Sequence, residues 1–434
     1  MEYATSSASP VFSTAAPTVL APVVPRQRIQ IIDILRGWAM FGVLLVDIGA
    51  LWQPDLWTAT EQGVYHFFEL FAEEKFYTLL SFLFGLGFSL QLIRAEGRGP
   101  GFIAAYGRRL FVLLLIGVFQ TVFLLWDGPI LITYAAMGFL LLLLRGLPSR
   151  TLLPLAFVLM LVPWAHTAGV DYIHARRLAN PQTHSEVLRA DTVANADWVA
   201  LRQEAKKTVG KPSYARRVSL QARALYLADI KHPSGFWWRG MYVLGLFLVG
   251  LYVGRRGFLL DITAHLPLVR RVLIWGLALG LVANAVRYFI PPFNLPYATS
   301  HGVKRLVAVF GDPALAFAYA AAIVLLAQRP VWQKRFAPLA AAGRMSLTNY
   351  LLMAVLLGIL VPTFGFGVYK RIGPILSPFL AVAIYAALMW LSTWWLKRFR
   401  FGPVEWLWRS ATYAKWQPMR IAYAPPATWV AGAK

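Results

Sequence analysis

Arg28-Ile29-Gln30-Ile31-Ile32-Asp33-Ile34-Leu35-Arg36-Gly37-Trp38-Ala39-Met40 opens a run that continues FGVLLVDIGA to Ala50. The run is long and apolar enough to cross a bilayer, which takes about 20 residues at 1.5 Å each. Three ionisable residues interrupt it: Asp33, Arg36 and Asp47. A charge at membrane depth costs about 2.5–3.5 kcal/mol, so a helix bearing these groups must turn them toward protein, water or headgroups. Asp33 and Arg36 stand i,i+3, share a face and can pair. Asp47 lies about 16 Å further along the axis at 1.5 Å per residue, near the opposite interface. Two readings follow. In one, the pair is interfacial and Asp47 sits among headgroups. In the other, this helix lines a polar cavity.

The remainder of the chain reads as an integral membrane protein. Of 434 residues, 58% are hydrophobic and only 14% charged, against about 25% charged in soluble domains. Mean hydropathy is +0.57. The 17 Trp, 18 Tyr and 28 Phe are ample for interfacial belts. The net charge of +23 would point to nucleic acid in a soluble chain. Here basic residues in short loops set orientation, and no nucleic-acid-binding motif appears. The absence of cysteine excludes thiol catalysis and disulfides. No diagnostic metal-ligand pattern is present, so no metal is predicted.

Hydropathy marks ten apolar segments: Ile31–Leu51, Phe76–Ile93, Leu110–Trp126, Ile130–Leu144, Leu152–Val170, Gly240–Gly254, Val272–Ile290, Leu306–Ala327, Met345–Pro362 and Ile375–Leu396. Gly311-Asp312-Pro313 interrupts the eighth, a pattern of ligand or ion sites in transporters or of a satisfied kink. The expected fold is an all-α polytopic bundle of about ten transmembrane helices. Residues 1–28, rich in Ala, Ser, Thr and Pro, read as a disordered cytoplasmic tail. Residues 29–170 carry helices one to five, 171–231 a helical extracytoplasmic insertion, 232–396 helices six to ten, and 397–434 a basic aromatic cytoplasmic tail. The insertion holds eleven Lys/Arg and six Asp/Glu. Basic clusters such as Arg94, Arg108, Arg109, Arg145, Arg255, Arg256 and Arg344 alternate with acidic or sparse loops. That places both termini in the cytoplasm. Lys304–Arg305 and Lys370–Arg371 dissent.

Polar side chains inside these segments mark candidate sites. His66, Glu69 and Glu73 fall at i, i+3 and i+7 and would share a helical face. An imidazole beside a carboxylate is the minimum for a general base, and the same group also reads as a solvated acidic loop. Lys75 opens the second span, either snorkelling to headgroups or lining a cavity. Gly85 and Gly87 read as helix-packing residues. Gly343-Arg344-Met345-Ser346-Leu347-Thr348-Asn349 opens the ninth span. Arg344 suits a phosphate there, of a lipid headgroup or of a donor. Glu405 and Arg409 stand i,i+4 in a tail that reads as an amphipathic segment.

Four stretches together resemble the YeiB-like family of bacterial inner-membrane proteins, a domain of unknown function. They are IIDILRGWAMFGVLLVDI, EKFYTLLSFLFGLGFSLQL, GRMSLTNYLL (343–352) and FGPVEWLWR (401–409). That family is similar to a wider set of membrane acyltransferases, including the acyltransferase-3 proteins and heparan-α-glucosaminide N-acetyltransferase. The resemblance implies passage of an acyl group from a cytoplasmic coenzyme A thioester to a glycan, lipid or small-molecule acceptor at the outer face of the inner membrane. It implies Arg36, Arg344 and Asn349 at the acyl-CoA donor side and Asp47 and His66 as catalytic groups toward the acceptor. The chain departs from the family pattern in four places. Asp47 stands where Asn is common, Gln120 about where a His falls, Pro129 where an Asp falls (with Asp127 nearby) and Met353 where a Gln falls. A different class of reading is a transporter or exporter of a small amphiphile, with Asp47, Asp312 and Gln120 along the path. A third is a non-catalytic membrane accessory protein.

Overall fold

Inside a bilayer a long apolar segment can satisfy its own backbone polar groups only as a helix or in a closed barrel. This chain takes the first course. The computed structural model describes residues 29–51, 58–95, 101–126, 128, 130–207, 213–231, 234–259, 261–289, 297–360 and 373–421. Among them the extended pairing is an isolated bridge between Phe399 and Arg420. The helices are α1 (Gln30–Asp47), α2 (Ala59–Phe71), α3 (Lys75–Ala95), α4 (Gly101–Phe123), α5 (Ile130–Leu143), α6 (Ser149–Ala179), α7 (Pro181–Lys207) and α8 (Tyr214–Leu225). There follow α9 (Ser234–Arg255), α10 (Leu266–Phe289), α11 (Tyr297–Leu326), α12 (Pro330–Arg335), α13 (Ala337–Arg344), α14 (Ser346–Leu360), α15 (Ser377–Leu396) and α16 (Pro403–Tyr413).

Among the described residues seven helical runs are long and apolar enough to cross a membrane: α2 with α3, then α4, α6, α9, α10, α11 and α15. Taken together, α13 and α14 make an eighth, bent by 84°. The other two predicted spans correspond to α1, with its three ionisable residues, and to the 14-residue α5. The all-α polytopic bundle stands. Phe111, Leu115, Phe119 and Phe123 form an exposed i,i+4 stripe on α4, and Ile274, Trp275, Leu279 and Val282 are exposed on α10. Apolar faces of this extent fit a lipid environment.

Two boundaries differ from the sequence expectation. Pro313 does not interrupt its span, because α11 runs through it from Tyr297 to Leu326; neighbouring helices can support a proline inside a membrane helix. The fifth span does not stop at Val170, since α6 continues to Ala179 past two internal prolines. The ninth begins where the sequence placed it, at Met345, which is the bend between α13 and α14. The tail 1–28 and residues 422–434 lie outside the described residues.

The centre of the bundle is α3, which packs on α1, α9 and α11. A methyl group on Gly85 would lie 2.0 Å from the Phe247 carbonyl oxygen, and one on Gly250 2.2 Å from that of Phe82. Glycine on both sides lets α3 and α9 cross backbone to backbone. α1 packs on α3, α13 and α15. At the Asp47 end the insertion forms a helical arm, tied by Arg223–Glu204 and Lys231–Asp197 pairs and by His174–Asp191 at 3.0 Å.

Candidate functional site

At the Arg36 end of the bundle, α1, α3, α4, α5, α13, α14 and α16 enclose a pocket of about 170 Å³. Arg36, Arg109, Arg344 and Arg409 line it, with Gln91, Tyr106, Trp408 and Glu405. Arg36 is paired with Asp33 at 3.6 Å. It fits because residue 87 is glycine: a methyl group there would sit 3.0 Å from the Arg36 Nη2. Arg109 is held on two sides. Its Nη1 donates to Gln91 Oε1 at 2.8 Å, and its guanidinium lies 4.1 Å from the centre of the Trp408 ring. The Trp408 indole donates to the Arg109 carbonyl at 2.8 Å, so α16 is fastened onto α4.

The same helix completes α14. Glu405 accepts from the Leu347 and Thr348 amides at 2.7 and 3.0 Å and from the Thr348 hydroxyl. A carboxylate at a helix N-terminus satisfies otherwise orphaned N–H groups and complements the helix dipole. The expected helical partner of Glu405 was Arg409; its carboxylate serves α14. Burial pushes the Glu405 carboxyl up, against the Thr348 hydrogen bonds that draw it down.

At the other end of α1 a larger vestibule, about 500 Å³, opens between α1, α3, α5, α6, α9, α10 and α11. Asp47, Glu73, Glu74 and Asp312 face Arg239, Arg287 and Arg305, with Phe76, Tyr77, Trp164, Trp238 and Tyr242 as aromatic walls. The α2–α3 turn builds its floor. Glu74 adopts a left-handed conformation, φ 65°, a strained choice for a residue with a side chain. The turn delivers Lys75, fully buried, to Asp312 at 2.8 Å and to the Glu69 carbonyl at 2.8 Å. Arg287 meets the second Asp312 oxygen at 3.3 Å. Asp47 Oδ2 and Glu73 Oε2 are buried with no hydrogen-bond partner among the described residues. Such acceptors are costly unless a donor reaches them.

The two spaces are stacked on the same elements. On α1, Val43 lines the vestibule and Met40 the pocket; on α3 the corresponding residues are Tyr77 and Leu80. Ile130 of α5 lines both. On α1 and α3 these steps are three residues, under one helical turn of about 5.4 Å.

Arg36 and Arg344 thus line one pocket, and Asp47 lines the vestibule beyond it. His66 lies elsewhere. It is on α2 with its side chain 56% exposed, and its Nδ1 is 3.0 Å from Glu69 Oε2. Glu73 falls beyond the end of α2, so the three residues do not continue one helical face. Asn349 is buried, donating to the Ala342 carbonyl and Ser392 at 3.1 and 3.0 Å; it bridges α14 to α13 and α15. Gln120 and Met353 are buried, and Asp127 and Pro129 lie outside the described residues. From sequence Arg109 reads only as an orientation-setting basic residue and Arg409 only as a helical partner for Glu405, and Trp408 is not singled out, although YGRRL and FGPVEWLWR contain them. No group of three or more His, Asp or Glu suited to a metal occurs among the described residues.

Residues 253–415 match the family model described as a protein of unknown function (DUF418). Uncharacterized protein YxaH of Bacillus subtilis (strain 168) is 29% identical over 427 residues, covering 92% of this chain and 98% of that protein. An uncharacterized 39.9 kDa protein in the amylase 3' region of Bacillus acidopullulyticus is 26% identical, covering 92% and 98%. Uncharacterized protein YeiB of Escherichia coli (strain K12) is 26% identical, covering 89% and 96%. No solved structure matches.

Proposed function

Taking the chain as a YeiB-like helical protein of the lipid bilayer, we propose that it is a transmembrane acyltransferase of the bacterial inner membrane. The observation that supports this is the stacking of an arginine-lined pocket and a carboxylate-bearing vestibule on the same turns of α1, α3 and α5. The Arg36 end faces the cytoplasm and the Asp47 end the outside, by the placement of basic short loops. Arg36, Arg109, Arg344 and Arg409 hold the phosphates of a coenzyme A thioester, for which charged guanidinium forks are suited. The pocket's volume of about 170 Å³ is enough for a phosphate group and too small for a whole coenzyme A, so the nucleotide stays outside.

In the reaction an acceptor hydroxyl or amine attacks the thioester carbonyl. The new C–O or C–N bond forms, the C–S bond breaks, and the sulfur keeps the electron pair. A carboxylate of the vestibule, Asp47, takes the acceptor's proton, and the departing thiolate is protonated. His66, exposed on α2 and paired with Glu69, takes no step, and Asn349 holds the bend that presents Arg344.

Binding of acetyl-coenzyme A to purified protein in detergent tests this reading. Arg344→Ala and Arg109→Ala are each expected to weaken binding about tenfold or more, one charge-assisted contact of about 1.5–3 kcal/mol. Absence of thioester binding, with solute movement in liposomes, would favour a transporter. One observation supports that second reading: the α13–α14 bend of 84° breaks a span beside the arginine pocket, as in the broken helices of carriers.

A further inference from the structure

The two spaces stop short of each other at one level. There the Tyr134 ring of α5 faces the Tyr77 ring of α3, centres 5.9 Å apart. Tyr134 lines the arginine pocket and Tyr77 the vestibule. Ile130, one turn before Tyr134 on α5, touches both. The partition is therefore the thickness of a side chain.

Tyr134 is fixed in place. Its hydroxyl is 2.8 Å from the Ser81 hydroxyl and 3.3 Å from the Tyr77 carbonyl. Its ring packs edge-on against Phe84 at 5.4 Å and Phe247 at 5.3 Å. A ring held by hydrogen bonds at its tip and aromatic edges on its faces stays in one rotamer. The remaining wall is softer, because Met40 and Ile130 are aliphatic and Met has three rotatable bonds. The Tyr77 hydroxyl is buried with no hydrogen-bond partner among the described residues. An O–H donor left open at this level suits a guest with an acceptor oxygen, such as an acyl carbonyl.

We infer that Tyr134, with Tyr77 opposite, determines which acyl groups can reach the acceptor, and that it admits short ones. The fixed ring is the ruler, and the Tyr77 hydroxyl receives the carbonyl oxygen of the group that has threaded past. This rests on the acyl-transfer reading for the identity of the guest; the partition itself does not.

Two measurements test it. The first is turnover of acetyl- against octanoyl-coenzyme A. Wild type and Tyr134→Phe, which keeps the ring, are expected to prefer acetyl. Tyr134→Ala and the milder Tyr134→Leu are expected to shift the ratio toward octanoyl by about tenfold or more, the size of discrimination that apolar pocket volume provides. An unchanged ratio in both variants, with wild-type melting, would overturn the assignment and leave acyl transfer intact. The second measurement needs no turnover. Leu131 lines only the arginine pocket, and the chain has no cysteine. In oriented proteoliposomes, a small impermeant thiol reagent added at the Asp47 face should spare Leu131→Cys while Tyr134 is present. It should modify it once Tyr134→Ala or Tyr134→Leu is added. Equal modification in all backgrounds would show that Tyr134 does not divide the spaces. Absence of turnover with every thioester, together with Tyr134-dependent labelling, would remove the acyl reading and keep the partition.

Discussion

Lys75 and Asp312 form an ion pair of 2.8 Å in which neither side chain is more than 4% exposed. Three helices meet through it, because Arg287 of α10 holds the other Asp312 oxygen at 3.3 Å. Removing one member of a buried pair strands the other charge and costs about 3–5 kcal/mol. Lys75→Met is expected to lower the melting temperature in detergent sharply. Lys75→Met combined with Asp312→Asn should recover much of the loss. A Lys75→Met protein that melts like wild type would show that the pair does not hold the vestibule floor.

The Asp33–Arg36 pair behaves differently, because Arg36 is 31% exposed and the separation is 3.6 Å. Asp33→Ala is expected to cost about 1–3 kcal/mol, between the exposed and the buried cases. Adding Arg36→Leu should restore melting. It should not restore thioester binding, and Arg36→Lys should fail there too, since an ammonium cannot make the bidentate contact. Full binding in the double variant would remove Arg36 from the donor site.

Glu405 gives a pH prediction. Its carboxyl is raised in the folded protein by burial. A raised folded value means the folded state holds the proton more tightly than the unfolded state. Its stabilising contribution is therefore complete below the unfolded value, near pH 4.3, and is lost as pH rises through the folded value. Glu405→Gln removes that titration. The melting temperature of wild type relative to Glu405→Gln should fall as pH is raised from about 4.3 through the folded value. A difference that stays constant across that range would contradict the assignment.

Topology is checked with single cysteines. Ser185 on the insertion and Lys415 after α16 are both exposed. An impermeant thiol reagent on intact spheroplasts is expected to label Ser185→Cys and spare Lys415→Cys. The reverse pattern would invert the orientation and exchange the roles of the two spaces.

Much of the bundle was legible because apolar length is a one-dimensional signal. The α6 continuation to Ala179 was not, since polar residues can extend a helix out of the bilayer without any break in propensity. Pro313 misled for a related reason. Proline removes one backbone donor, but the surroundings of α11 decide whether the helix stops, and those lie on other helices. Arg36 and Arg344 were readable from charges inside apolar runs. Arg109 and Arg409 were hidden among loop and tail basics, whose numbers topology already explains. His66 and Asn349 illustrate the converse. Spacing placed His66 near carboxylates, and the fold left it on an exposed face. Asn349 stood out as a polar residue in an apolar helix, and the fold spends its amide on neighbouring helices.

The cap that Glu405 places on α14 joins groups up to 58 positions apart. It also orders events during synthesis. A nascent chain ending at Leu396 already contains every apolar span, yet the first turn of α14 lacks its carboxylate and the pocket lacks Trp408 and Arg409. Insertion and acquisition of an anion-binding surface are therefore separate milestones. On the acyl-transfer proposal, a half-made chain lodged in the bilayer would be blind to its thioester until α16 had docked. Limited proteolysis of chains truncated after Leu396 and after Lys415 would reveal the step as protection of the α13–α14 bend in the longer chain alone.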